Sequence, residues 1–290
     1  MGDGRGEPQL SANELTIESK QFGQTTIAEV DLQVLSRFTG LSRDDCIERL
    51  AQYRLEDIAE EWRDRDPKSR GDIQSFYSDT DHYIWELLAY NGSEDYRRWY
   101  VEPLERAAAQ WPPTENPRAL DHGSGVGTVA IRLAELGYRV TLSDIAGRTL
   151  EFAKARLAAR GIEFDAIEVG DRIRDALRPR SYSVVVSYDV LEHVPDPATE
   201  ARGIIRALRP GGAAVIMADF TPPNPLWPHH LPEGARRFAG HRWKLFLDGL
   251  GLKAVDDPIY VKLGGAAAVA RRLRYGLWRA TSIYAERRPR

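Results

Sequence analysis

The segment Asp121-His122-Gly123-Ser124-Gly125-Val126-Gly127-Thr128 restricts this chain's fold more than any other. A short apolar run precedes it and a helical pattern follows it. Glycines let a backbone turn sharply and come close to a ligand, and a helix start turns its free amides toward that ligand. The spacing is G-x-G-x-G. A dinucleotide fingerprint, G-x-G-x-x-G, needs glycine where Thr128 stands. Asp121, two residues before the first glycine, would repel a pyrophosphate but suits a ligand carrying an ammonium group.

The chain after residue 117 alternates between short apolar runs and helical patterns. The runs lie at 118–120, 139–142, 162–169, 182–187 and 213–217, with helices expected at 128–136, 148–159 and 199–208. That rhythm predicts an α/β fold with a doubly wound, mostly parallel sheet. Acids close successive strands at Asp144, Asp171 and Asp189, where the ligand crevice of such a sheet lies. Asp144 is placed to accept hydrogen bonds from two ribose hydroxyls, and Asp171 to meet an adenine edge.

Three divisions follow. Residues 1–25 are polar and expected to be mobile; 26–116 form a helical cap; 117–290 form the sheet domain. The breaker-rich stretch from Trp111 to Pro117 marks the second boundary. In the cap, Ser42 and Asp45 have capping-box spacing, and a break is expected between Tyr53 and Glu56. Four of the seven tryptophans and six of the twelve tyrosines lie between Tyr53 and Trp111. They serve either as packing surface or as the lining of an amphipathic pocket.

Composition excludes other classes. Of 290 residues, 42% are hydrophobic and 29% charged, which is a globular mixture. The net charge of −3 offers no bulk basic field, so no nucleic acid is expected as partner. One cysteine, Cys46, leaves no intrachain disulfide and no multi-cysteine metal site. No apolar run is long enough to span a bilayer, and the start lacks the features of a secretory signal. A cytoplasmic location is the resulting expectation.

The motifs Asp121–Gly127, Asp144, Asp171, Asp189-Val190-Leu191-Glu192-His193-Val194 and Leu208-Arg209-Pro210-Gly211-Gly212 stand in order. Together they resemble class I S-adenosylmethionine-dependent methyltransferases, in particular the ubiquinone/menaquinone-biosynthesis-like small-molecule branch. The resemblance implies a Rossmann-like sheet of seven strands with the last antiparallel, for which 252–261 and 280–286 are candidates. It implies S-adenosylmethionine as cofactor. Gly123, Gly125 and Gly127 would approach its methionine part with Asp121 nearby, Asp144 would hold the ribose, and Asp171 with Arg172 would meet the adenine. Tyr188 is included in that cofactor set.

The implied partner is a small-molecule methyl acceptor in biosynthetic or specialised metabolism, with O-methylation favoured. His193 is the candidate base, because imidazole titrates near neutrality. Tyr83, Trp85, Tyr90, Trp227 and His230 are candidate acceptor contacts. A metal-free site is expected. The alternative puts Asp189, Glu192 and His193 on one helical face as metal ligands, as the acid-x-x-Glu-His of metal-dependent ribose and catechol methyltransferases suggests. Two further alternatives are a metal-dependent RNA ribose 2′-O-methyltransferase and a cofactor-binding protein without transfer activity. The arginine-rich carboxyl end, Arg271 to Arg290 with Tyr275, Leu277 and Trp278 interleaved, is read as a solvated helix and last strand or as a weak headgroup-binding patch.

Overall fold

The computed structural model describes residues 14–114, 117–170 and 173–286. The chain opens with a hairpin, β1 (Glu14–Ser19) and β2 (Gly23–Ala28). Five helices follow: α1 (Glu29–Thr39), α2 (Arg43–Gln52), α3 (Leu55–Arg65), α4 (Arg70–Asp79) and α5 (His82–Asn91). The short α6 (Glu94–Tyr96) runs through a π-helical turn, Arg97–Val101, into α7 (Glu102–Gln110). Then come β3 (Arg118–His122), α8 (Thr128–Glu135), β4 (Arg139–Asp144), α9 (Arg148–Ala159) and β5 (Phe164–Glu168). They are followed by α10 (Ile173–Ala176), β6 (Tyr182–Tyr188), α11 (Pro197–Ala207) and β7 (Leu208–Met217). The chain ends in α12 (Pro232–Phe238), α13 (His241–Gly249), β8 (Leu252–Asp256), β9 (Ile259–Lys262) and α14 (Gly265–Glu286).

The main sheet has seven strands in the order β5-β4-β3-β6-β7-β9-β8. All neighbours from β5 to β7 are parallel, and β9 is antiparallel to both β7 and β8. The chain order reverses between β3 and β6, which opens the ligand crevice at their carboxyl ends. The central strands are buried on both faces. In β6, Val185 enters one core with Leu120, Ala214 and α11, while Val184 and Val186 enter the other with Ala119, Ala130 and Leu157. This explains their continuous apolar runs, since a helix layer covers each side.

Several expectations change here. Residues 14–25 belong to the ordered hairpin rather than to a mobile leader, because Ile17 and Ile27 are buried against α1, α2 and α5. Residues 1–13 lie outside the described part. Residues 280–286 are the end of α14, not a strand; the antiparallel strand is β9, so 252–261 held both closing strands apart from Lys262. Arg271 and Arg274 pair with Asp248 of α13. Arg287, Arg288 and Arg290 lie outside the described residues. The boundary at 116 does not coincide with a change of core. Leu104, Ala107 and Ala108 of α7 pack with Ala119 and Val215, so α7 is one of the sheet's own covering helices.

Local signals account for the helix ends in the amino-terminal segment. Ser42 caps α2 by accepting from the Asp45 amide, and Ser69 with Asp72 forms a full capping box on α4. The break predicted between Tyr53 and Glu56 falls at Tyr53-Arg54. Among the described residues, no helix is long and apolar enough to cross a membrane.

Candidate active site

A cavity of about 550 Å³ lies between α4, α5 and the π-turn on one side and the ends of β3, β4 and β6 on the other. The glycine loop forms its floor. Gly123, Gly125 and Gly127 all have positive φ, at 67°, 49° and 78°. A Cβ on Gly123 would stand 2.0 Å from Val190, and one on Gly125 2.7 Å from Leu87. A side chain at either position would be strained, and at Gly123 it would also overlap Val190, so glycine is favoured there on both counts.

Asp144 ends β4 and is held by two backbone amides, Gly125 N to Oδ2 and Ile145 N to Oδ1, each at 2.7 Å. Burial nevertheless pushes its carboxyl up to about 6, against the pull of those two amides. Asp121 is 3% exposed, and its Oδ2 has no hydrogen-bond partner. Burial, with the Asp144 carboxylate beside it, raises Asp121 to about 8. A buried carboxylate oxygen without a donor is costly, and a ligand ammonium would supply one. The orphaned acid, the glycine cradle and the ring acceptor at Asp144 therefore fit S-adenosylmethionine. Asp171 and Arg172 lie outside the described residues.

Tyrosines form much of the opposite wall. Tyr77 and Tyr83 stack at 5.4 Å, Tyr96 and Tyr100 at 4.8 Å, and Tyr90 stands edge-on to both Tyr96 and Tyr100. The Tyr100 hydroxyl donates to Asp189, and the Tyr188 hydroxyl donates to the Tyr100 carbonyl at 3.0 Å. All five, with Tyr188, line the cavity. Asn91 of α5 reaches across to Thr128 at the start of α8, 2.7 Å away. At the far end, His122 holds Ser143 Oγ at 3.0 Å through Nδ1, and its Nε2 lies 3.4 Å from Glu200. Burial lowers His122 to about 4 and raises Glu200 to about 7.

Of the expected acceptor contacts, Tyr83 and Tyr90 line the cavity. Trp85 does not. It points to the other side of α5, is 1% exposed, and carries the Arg49 guanidinium 4.3 Å above its ring. Trp227 and His230 also stand outside the cavity wall, their rings stacked on each other at 6.1 Å.

The shared helical face of Asp189, Glu192 and His193 does not form. Asp189 adopts a left-handed φ of 50°, and the chain from 189 to 195 is a series of turns. Glu192 turns away from the cavity, where its Oε1 accepts the Asp219 amide at 2.9 Å and its carbonyl accepts the Leu231 amide. His193 instead meets His229 and His230, ring centroids 4.9 and 5.0 Å away. Its Nδ1 lies 3.2 Å from the His229 carbonyl, so Nδ1 carries the proton and Nε2 keeps its lone pair. Burial and the two neighbouring imidazoles hold His193 well below its ordinary range, so it is neutral near pH 7. Sequence spacing did not reveal the Tyr100–Asp189 bond, which joins residues 89 positions apart.

Comparison with known proteins agrees with this geometry. Residues 120–216 match the methyltransferase domain family. The ubiquinone biosynthesis O-methyltransferase of Albidiferax ferrireducens is 32% identical over 142 residues, covering 47% of this chain and 53% of that protein. The Klebsiella pneumoniae protein of the same name is 35% identical over 95 residues, covering 33% and 39%. The matched stretch thus spans about half or less of these relatives' own length. An S-adenosylmethionine-dependent methyltransferase structure from Mesorhizobium loti shares 25% identity over 38% of this chain and 49% of that one, with a TM-score of 0.32. With the seven-stranded order and the glycine loop around it, the matched stretch, residues 120–216, is a methyltransferase domain of the class I S-adenosylmethionine-dependent kind.

Proposed function

We propose that this protein methylates a hydroxyl group of a small aromatic or apolar acceptor in biosynthetic metabolism. The observation that carries the reading is the position of His193, which lines the cavity that the glycine loop and the tyrosines enclose and whose Nδ1 bond leaves Nε2 its lone pair. The O-methyltransferase names of the relatives support the same chemistry.

Bound S-adenosylmethionine supplies an activated methyl group on a sulfonium, open to in-line displacement. The protein's work is then alignment. Asp121 and the glycine loop hold the amino-acid end, and Asp144 fixes the ribose end. Tyr77, Tyr83 and Tyr90 present flat apolar faces with polar tips, which orient a ring and exclude water. The acceptor hydroxyl is activated at the Nε2 lone pair of His193.

The test is transfer of labelled methyl from S-adenosylmethionine to matched phenols, anilines and thiols. Turnover of hydroxyl acceptors, reduced roughly 100- to 10,000-fold by His193→Ala, is expected. Turnover confined to amines, or unchanged by that substitution, overturns the reading.

A further inference from the structure

His193, His229 and His230 bring three ring nitrogens within 4.8 Å of one another. One comes from the turn after β6 and two from the segment after β7. From these positions we propose that the three histidines bind a zinc-class divalent ion whose open position faces the cavity. The proposal deepens the reading above: the acceptor hydroxyl would be activated at His193 through an ion rather than by direct proton transfer. It departs from the metal-free site expected from the sequence and uses neither Asp189 nor Glu192.

Four observations support it. First, two of the rings are held as ligating imidazoles usually are. His193 Nδ1 donates to the His229 carbonyl at 3.2 Å, and His230 Nδ1 donates to the Thr221 carbonyl at 3.2 Å. Such bonds fix the tautomer and leave Nε2 as the lone-pair atom. Second, His229 is 3% exposed, and its Nδ1 has no hydrogen-bond partner. A buried polar nitrogen without a partner is a cost that a ligand would remove.

Third, the cluster sits in an aromatic shell. Trp62, Tyr83 and Trp227 lie 6.1, 6.4 and 5.8 Å from the His229 ring, and Tyr77 lies 6.2 Å from His193. Fourth, His193 alone of the three lines the cavity, which places the fourth position on the acceptor's side. Three protein ligands plus one open position is the pattern of catalytic zinc, and an all-imidazole set disfavours magnesium or calcium. With zinc–nitrogen bonds of about 2.0–2.1 Å, tetrahedral nitrogens stand about 3.4 Å apart. The widest separation here would need to close by little more than an ångström. A hydroxyl at the open position would lose its proton to solvent more readily, because the ion's charge stabilises the oxyanion.

The experiment uses the full chain, stripped with a chelator and titrated with Co²⁺ and then Zn²⁺, without cofactor or acceptor. One equivalent of Co²⁺ should produce the visible bands of four-coordinate cobalt, and Zn²⁺ should displace it and raise the Tm. His193→Gln and His230→Gln should each weaken binding by about 100-fold or more. No cobalt spectrum and no zinc-dependent Tm shift in the unaltered protein overturns the proposal, as does binding that both substitutions leave intact. Calorimetry with S-adenosylmethionine on the same stripped protein separates the outcomes, since cofactor binding without metal binding defeats only the metal site.

Discussion

Arg156 of α9 grips Asp31 of α1 through both carboxylate oxygens, each contact 2.8 Å long and almost fully buried. The same guanidinium donates to the Val126 carbonyl and, at 2.9 Å, to Thr128 Oγ1. Arg160 adds a second ion pair to Asp31 at 2.7 Å. The first helix of the chain is thereby fastened to the end of the glycine loop, and the placement of the amino-terminal segment and the shape of the cofactor floor depend on each other.

Asp31→Ala should destabilise the fold by about 3–5 kcal/mol, because it leaves buried guanidinium charge without its partner. Desolvation opposes ionisation of Asp31, but the charges and hydrogen bonds of Arg156 and Arg160 outweigh it and lower the carboxyl to about 2. A depressed acid contributes stability above its unfolded value, and that contribution is lost as pH falls through the folded one. The corresponding loss, about 2 kcal/mol, should appear between pH 4 and pH 2 in urea melts and be missing from the variant. An Asp31→Ala protein as stable as the parent would show that the pair contributes nothing.

Asp144→Ala should weaken S-adenosylmethionine binding by about 2–4 kcal/mol, since it would remove the acceptor proposed for the ribose and also frees the Gly125 and Ile145 amides. Calorimetry measures it directly. Asp144→Asn keeps one oxygen acceptor and should fall between the two. An unchanged dissociation constant in the alanine variant would remove Asp144 from the site.

Cofactor binding should be linked to a proton at Asp121. The free protein holds this carboxyl up at about 8, so at pH 7 it is mostly protonated. Ion pairing with an ammonium requires the carboxylate, so binding releases a proton and tightens as pH rises from 6 toward 8. Calorimetry in buffers of different ionisation enthalpy should detect that release at pH 7, and Asp121→Asn should abolish it. Proton uptake, or a release that persists in the variant, would contradict the assignment.

Trp85 and Tyr83 lie two residues apart on α5 and should behave oppositely. Trp85→Ala empties a fully buried site and should cost about 3–5 kcal/mol in chemical denaturation, with KM for the acceptor little changed in the protein that remains folded. Tyr83→Ala removes part of the cavity wall and the stack with Tyr77, and should raise KM for the acceptor. A raised KM for Trp85→Ala with unaltered stability would reverse this assignment.

The sequence alone determined the features that are local or periodic. Alternating apolar runs and helical patterns specify a parallel sheet because each strand and helix must bury a face of known period. The glycine spacing specifies the cavity floor because a side chain at those φ values is strained and, at Gly123, would overlap Val190. The places of Asp121 and Asp144 in the cavity wall were legible because a strand's carboxyl end is a fixed place in such a fold. What the tertiary structure decided is everything that depends on which face meets which. Trp85 and Tyr83 differ by about 200° around α5, so one enters the core and the other the cavity. Asp189 and Glu192 share a spacing with His193, but a left-handed residue at 189 breaks the helix that would have aligned them. His193 and His229 are 36 positions apart, joined by no periodicity, and become neighbours because parallel β6 and β7 release their chains at the same edge of the sheet.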